Sequence, residues 1–360
     1  MTTTLTGRFF MPGPTEVHTD VLAAMMKPMM GHRVAEMEEM IGRIQPRLKT
    51  VFRTERPVYI SASSATGLME GAVRNGARRR VLSLVNGAFS QRFHQIARAT
   101  GLEADAVEVD WGSGHTPDML RDALKRGTYD AVTVAHSETS TGALNPIAEL
   151  AAVTREFDDV VLLVDSVSGL CGADMRTDEW GVDFVLTGSQ KSFALPPGLA
   201  FGVARPNILE RAEQKTDRGI YFDFLEFERN ILSNQTPNTP AVSLLYALDV
   251  QLERIETEGM DARLDRHRRM AERTWAWCEA HGLEILVRDP AFRSPTVTTI
   301  RCPGDWTGPS LAAAVKEHGF QIATGYGRMK DDTFRIGHMG DHSEEGLDGL
   351  LEVMSGILAR

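Results

Sequence analysis

Short apolar, β-branched runs recur through the first two thirds of the chain, at 58–61, 81–85, 106–109, 131–135, 160–164 and 184–187. Runs of this kind, bounded by turn residues, predict strands buried on both faces. Between them, apolar residues return every three or four positions over 67–77, 90–100, 117–126 and 146–157. That spacing predicts crossover helices, the last two opened by a proline, which suits a first helical turn. The alternation predicts an α/β fold with a mainly parallel sheet covered by helices on both faces.

A long helical pattern then runs from about 241 to 258, and another from 262 to 281 stops at Gly282. Beyond it the alternation resumes, with strands expected at 283–287, 296–301 and 334–336 and helices at 309–318 and 343–358. The expected organisation is an N-terminal arm over 1–20, a large domain over 21–240, and a linker helix with a smaller α/β domain over 241–360. The arm carries Met11-Pro-Gly-Pro-Thr15, where two prolines and a glycine oppose regular structure.

Composition narrows the partners. With 42% hydrophobic residues over 360 positions the chain can bury a sizeable core. Its formal net charge of -10 comes from scattered residues without a basic block, so small molecules are expected as partners, with no nucleic acid and no membrane. Cys171, Cys278 and Cys302 are too few and too irregular for a disulfide framework, and read as buried thiols of a reducing compartment. The N-terminus lacks the basic-then-apolar pattern of a leader and no apolar run reaches membrane-spanning length, so a cytoplasmic location is expected.

The chemistry concentrates at strand ends. Lys191 follows the 184–187 run, after Thr187-Gly-Ser-Gln190 and before Pro196-Pro-Gly198. Burial and cationic neighbours lower an amine's pKa, and a neutral amine attacks a carbonyl carbon. Asp165 ends the most apolar run, where a carboxylate is costly unless partnered. Ser64, Ala65 and Thr66 open a helix, where backbone N–H groups and the helix dipole suit a phosphate. Singly, each has a plainer reading: a surface lysine in a turn, a turn cap at Asp165-Ser166, an N-cap at Ser64. Jointly, an amine, a carboxylate and a phosphate cradle describe a site for pyridoxal 5'-phosphate.

Several motifs carry a family resemblance: Met11-Pro-Gly-Pro-Thr15, His136-Ser-Glu-Thr-Ser-Thr-Gly142, Leu163-Val-Asp-Ser-Val167, Thr187-Gly-Ser-Gln-Lys-Ser192, Thr239-Pro240 and Phe334-Arg-Ile-Gly337. On them the chain resembles the fold-type I pyridoxal-phosphate enzymes of the class V aminotransferase family, near the alanine–glyoxylate and serine–glyoxylate (serine–pyruvate) aminotransferases. The resemblance implies a mainly parallel seven-stranded sheet in the large domain, a smaller C-terminal α/β domain, and a homodimer with its active site at the interface. Carried over by position, Lys191 forms the Schiff base, Asp165 bonds the pyridine nitrogen and Phe89 stacks on the ring. Phe89 also reads as core packing on an amphipathic helix. Thr139 is expected to reach the ring hydroxyl and Val167 to pack on the other ring face. Ser64, Ala65, Thr66 and Gln190 are expected to hold the phosphate, with Thr239 arriving from a partner subunit. Ala65 departs from the family's usual glycine. Arg335 resembles the arginine that binds the substrate carboxylate, and Gly13 is expected to touch substrate through its backbone. The Gly31-His32 loop is a weaker candidate for a substrate contact, and Arg33 and Arg328 have no assigned role.

The implied activity is transamination by a ping-pong mechanism, from alanine or serine to glyoxylate or pyruvate. No extra cation is evident in the matched motifs for a second acidic group. Aspartate, ureidoglycine or aminoethylphosphonate are alternative donors within the same fold. A cysteine desulfurase is a rival chemistry that needs a nucleophilic cysteine on a mobile loop, and a cofactor-binding protein without catalysis is a rival from another class. His136, beside Ser137 and Glu138, reads as part of a hydrogen-bonded loop, and the histidine spacings give no metal motif.

Overall fold

The computed structural model describes residues 7–359. Residues 1–6, which open the expected arm and the segment read as lacking a leader, lie outside the described residues, as does Arg360. A seven-stranded sheet runs in the order Tyr59–Ser61, Ala200–Ala204, Phe184–Gly188, Val161–Asp165, Ala131–Ala135, Arg80–Val85, Glu103–Glu108. Ala200–Ala204 is antiparallel to both neighbours, and every other pairing is parallel. Helices flank the sheet, giving the α/β architecture the hydrophobic pattern predicts.

Register decides what the sheet delivers. Ala135 pairs with Asp165, and Asp165 with Leu186, so three parallel strands reach the same edge in register. The ladder runs one step further, because the His136 amide donates to the Asp165 carbonyl and the Ser166 amide to the Leu186 carbonyl, both at 2.8 Å. All five residues of Val161–Asp165 are buried. Polar residues just past these ends therefore gather at one edge, where ligands of parallel sheets collect.

The helix Ala35–Phe52 was not foreseen, because Pro46 lies inside it and a proline normally argues for a break. Tertiary packing outweighs that cost: Met37, Met40, Ile41, Ile44 and Leu48 are all buried against the sheet's core. The helix Val242–Glu258 puts Leu245, Leu248, Leu252 and Ile255 into the same core.

A second core gathers around Phe10, Leu311, Phe334, Ile336, Leu347 and Met354. Its four-stranded sheet has the order Phe9–Phe10, Gln321–Thr324, Thr333–Gly337, Val297–Arg301. Two expectations are corrected here. Phe9–Phe10 pairs in parallel with Gln321 and Ile322 and Phe10 is wholly buried, so part of the expected arm is a core strand. Two adjacent aromatics gain more from burial than the following prolines take away. The 283–287 segment reaches the sheet edge through one bridge, Ile285 with Ile300, before Asp289 turns the chain into the short 3-10 helix Pro290–Phe292. No helix among the described residues is long and apolar enough to cross a membrane.

Candidate active site

The strand Phe184–Gly188 runs out into a turn held from several sides. The Ser189 hydroxyl donates to the Pro196 carbonyl at 2.8 Å, and the Ala194 amide to the Lys191 carbonyl at 2.8 Å. Thr15 clamps the turn from outside, its amide donating to the Gln190 carbonyl at 3.0 Å and its hydroxyl to the Lys191 carbonyl at 2.9 Å. The Lys191 amine donates to the Pro12 carbonyl. Gly13 lies against the lysine stem with φ +104°, and a Cβ there would sit 2.3 Å from Lys191 Cδ. Only glycine allows both that conformation and that approach. Burial, and after it the charge of Arg335, lowers the Lys191 amine to about 7.

Asp165 faces the same cavity. Burial pushes its carboxyl up to about 7, against one hydrogen bond from the Val167 amide at 2.9 Å. Among the described residues its second oxygen accepts no hydrogen bond, and no cationic side chain lies within ion-pair distance. The cavity is lined by Ser64, Ala65, Thr66, Met69, Phe89, Arg92, Ser137, Thr139, Asp165, Val167, Ser168, Gln190 and Lys191. At one end the helix Ala65–Gly76 begins at Ser64, whose side chain makes no cap hydrogen bond. The first amides of that helix thus point into a polar corner shared with Gln190.

Phe89 stands at the first turn of the helix Ala88–Ala99, with Lys191 Nζ 5.8 Å from its ring centre. Its position is set by Glu138, a fully buried carboxylate that accepts from the amides of Phe89, Ser90 and Ser140 and from the hydroxyls of Ser90 and Ser140. A Cβ at Gly87 would lie 2.4 Å from the Glu138 side chain, so the turn closes only with glycine there. Arg335, in Thr333–Gly337, is buried and donates to the carbonyls of Thr324 at 3.0 Å and Thr139 at 3.1 Å. It forms no ion pair among the described residues, and burial lowers its guanidinium to about 10.

Comparison with known proteins now bears on this arrangement. The family model described as aminotransferase class-V matches residues 59–329, a span holding every strand of the large sheet and the whole cavity lining. The chain belongs to the class V aminotransferases. Among relatives, an uncharacterized aminotransferase of Methanocaldococcus jannaschii is 37% identical, covering 91% of this chain and 86% of that one. An L-aspartate–glyoxylate aminotransferase of Paracoccus denitrificans is 34% identical, covering 92% and 86%. Among solved structures, an alanine–glyoxylate aminotransferase from Nostoc sp. superposes with a TM-score of 0.90 at 29% identity, covering 98% of this chain and 95% of that one.

The family uses pyridoxal 5'-phosphate, and the cavity of this aminotransferase fits that cofactor. An unpartnered carboxylate suits the pyridine nitrogen, a buried near-neutral amine suits the carbonyl, and open helix amides with Gln190 suit the phosphate. The cavity brings together Ser64, Ala65, Thr66, Phe89, Thr139, Asp165, Val167, Gln190 and Lys191. Gly13 and Arg335 adjoin it through Lys191 and Thr139. Thr239 does not join it within this chain, lining instead a separate cleft with Ser61, Ala62, Tyr221 and Thr236. The Thr139 hydroxyl is bonded to that of Ser168. His136 bonds Ser166 Oγ through Nδ1 at 2.9 Å.

The unassigned residues find places elsewhere. Arg33 donates to Gln235 and to the Thr236 carbonyl, so it holds the segment that leads to Thr239. Arg328 stacks over Trp111 at 4.4 Å, and His32 is half-buried without a hydrogen bond among the described residues. Sequence reasoning missed Arg92 and Tyr326. Arg92, a cation on the cavity wall 5.2 Å from the Phe89 ring centre, lies outside the matched motifs, which hold no extra cation themselves. Its place three residues after Phe89, on the same helix face, was the available signal. Cys302 is half-buried, unlike Cys171 and Cys278.

Proposed function

We propose that this aminotransferase moves the amino group of a small amino acid, alanine or serine, to a small 2-oxo acid, glyoxylate or pyruvate, one product leaving before the second substrate binds. The observation that carries this reading is Arg335, a buried guanidinium with no carboxylate partner among the described residues. Such a cation is costly unless a ligand pairs with it. Its planar fork accepts one carboxylate in two hydrogen bonds and so orients the donor's α-carbon.

Bound pyridoxal phosphate supplies a carbonyl for the donor's amine and an electron sink for the bond that breaks at the α-carbon. Asp165 accepts a hydrogen bond from the ring nitrogen and keeps it protonated. Phe89 would hold the ring from one side and Val167 from the other. The Lys191 amine, lowered toward neutrality by burial, would serve as the base that takes the proton from the donor's α-carbon. Ser64, Ala65, Thr66 and Gln190 bind the phosphate through hydroxyls, helix amides and the side-chain amide.

In this reading the active unit is a homodimer in the cytoplasm. Thr239 lines a separate cleft with Ser61 and Ala62 and not the cavity itself, which suits its delivery to the cavity of a second copy. Leu22, Met26 and Met29, exposed by 46%, 81% and 67%, supply an apolar face of the kind a subunit interface covers. The free thiols agree with a reducing compartment.

Aspartate as donor is a second reading, favoured by Arg92, which forms no ion pair among the described residues and lines the cavity. The test is to add alanine, serine, aspartate and aminoethylphosphonate separately to the holoenzyme without any oxo acid. Loss of the lysine-bound cofactor's visible band, with release of the matching 2-oxo acid, is expected with alanine or serine. A response to aspartate alone selects the second reading, and a band that persists with every donor overturns transamination of these substrates.

A further inference from the structure

Aromatic rings join the amine to the carboxylate fork in an unbroken wall. The Phe89 ring centre lies 5.8 Å from Lys191 Nζ and 5.2 Å from the ring centre of Tyr326, and Tyr326 lies 5.5 Å from Arg335 Cζ. A donor with its amino group toward Lys191 and its carboxylate on Arg335 lies along this wall. Whatever its α-carbon carries is bounded by these rings on that side.

Tyr326 is held in place from both directions along the chain. It follows the strand Gln321–Thr324, and the next residues form the short 3-10 helix Gly327–Met329. The Gly325 amide donates to the Thr333 carbonyl at 2.7 Å, and the Met329 amide to the Tyr326 carbonyl at 3.1 Å. A Cβ on Gly325 would lie 2.0 Å from the Met329 carbonyl oxygen, so the turn carrying the ring is tightly closed. The ring is half-buried, and its phenol makes no hydrogen bond to the chain among the described residues. Among the described residues nothing bonds the hydroxyl, so the packing of the ring is what the turn fixes.

We propose that Tyr326 sets the upper size of the donor's side chain: its ring closes the space beside Arg335, admitting alanine-sized and serine-sized substituents and turning away longer ones. This deepens the small-donor reading and rests on it. The ring yields only by giving up its contact with Phe89, and each excess methylene forced against it lowers kcat/KM by about tenfold or more.

The experiment compares the wild-type holoenzyme with Tyr326→Ala and Tyr326→Phe, measuring kcat/KM for alanine, 2-aminobutyrate, norvaline and leucine with glyoxylate. Tyr326→Ala is expected to raise the norvaline-to-alanine ratio by at least about tenfold, carried by KM, while Tyr326→Phe keeps the wild-type ratio. A parallel fall for all donors in Tyr326→Ala overturns the proposal, as does a ratio that shifts equally in Tyr326→Phe, since the hydroxyl would then be selecting. If Tyr326→Ala fails to fold, as judged by melting, Tyr326→Leu takes its place with a smaller shift of the same sign. Calorimetric dissociation constants for acetate, butanoate and hexanoate give a readout without turnover. Should the wild-type enzyme transaminate none of the donors, the substrate reading fails by itself. The carboxylate series then still decides on Tyr326: relaxed length discrimination in the variant supports its role, and unchanged discrimination overturns it.

Discussion

On one side of the turn that carries Lys191 lie Asp165 and Arg335; on the other lie Arg263 and Asp341. All five side chains are buried or nearly so, yet their acid–base behaviour runs in opposite directions. In front, burial goes unanswered: Asp165 is pushed up to about 7, Lys191 down to about 7 and Arg335 down to about 10. Behind, Arg263 donates to Asp341 at 2.8 Å, to Glu258 at 2.7 Å and to the Ser192 carbonyl at 2.8 Å. Asp341 also accepts from Gln251 at 3.1 Å and Arg254 at 3.4 Å. Burial there still opposes both charges, but the partners outweigh it, so the Asp341 carboxyl falls below its ordinary value and the Arg263 guanidinium rises above its own. Depth alone therefore does not mark a functional charge. What separates the two clusters is whether the chain itself supplies the counter-charge or leaves it to a ligand.

The comparison breaks most visibly at the turn itself. Lys191→Ala removes the base from the front cluster, and single-turnover loss of the cofactor band with the preferred donor should slow by at least about 10²–10⁴-fold while the melting temperature does not fall. Asp341→Ala opens the rear cluster and leaves Arg263 buried with less compensation. Urea unfolding should show a loss of about 3–5 kcal/mol, and a loss under about 1 kcal/mol would mean the rear pairing is not structural.

A gentler probe is pH. Because Asp165 binds its proton more tightly in the cofactor-free fold than at its ordinary value of 3.8, its contribution to stability is full below that value. The contribution is then lost as pH rises through about 7. The difference in unfolding free energy between wild type and Asp165→Asn, both cofactor-free, should change by up to on the order of 4 kcal/mol across that window. A flat difference would contradict an unpartnered carboxylate. Asp341 has the reverse sign, its stabilisation being present at neutral pH and lost as pH falls through its depressed value. The smallest effect belongs to Arg254→Gln: that side chain is 35% exposed and its contact with Asp341 is long, so urea unfolding should move by less than about 1 kcal/mol.

Much of the front cluster was legible in the sequence because strand ends announce it. Runs such as 131–135 and 160–164 are apolar enough to be recognised alone, and Asp165 and Lys191 stand out as charges where such runs stop. The antiparallel Ala200–Ala204 was not, since its small residues and Gly202 give a weak strand signal and its burial comes from neighbours on both sides. Gln321–Thr324 is four residues long and half polar, and so carries almost no period. The rear cluster was invisible for a different reason: Arg263 meets Ser192 and Asp341 across 71 and 78 positions, and nothing local distinguishes it from the other arginines of its helix. Tyr326 escaped notice likewise, because its meaning lies in rings and a guanidinium brought to it by folding.

The segment that begins with Phe9–Phe10 and ends at Thr15 has a consequence for the order of manufacture. Its strand waits for Gln321 and Ile322, and Thr15 waits for a lysine turn made 176 positions later. During synthesis Phe9–Phe10 stays unpaired until Gln321 and Ile322 are made, and such distant closures are slow. A chain stopped before Gln321 thus carries both Thr15 and Lys191 without the strand pairing that anchors the segment between Phe10 and the lysine turn.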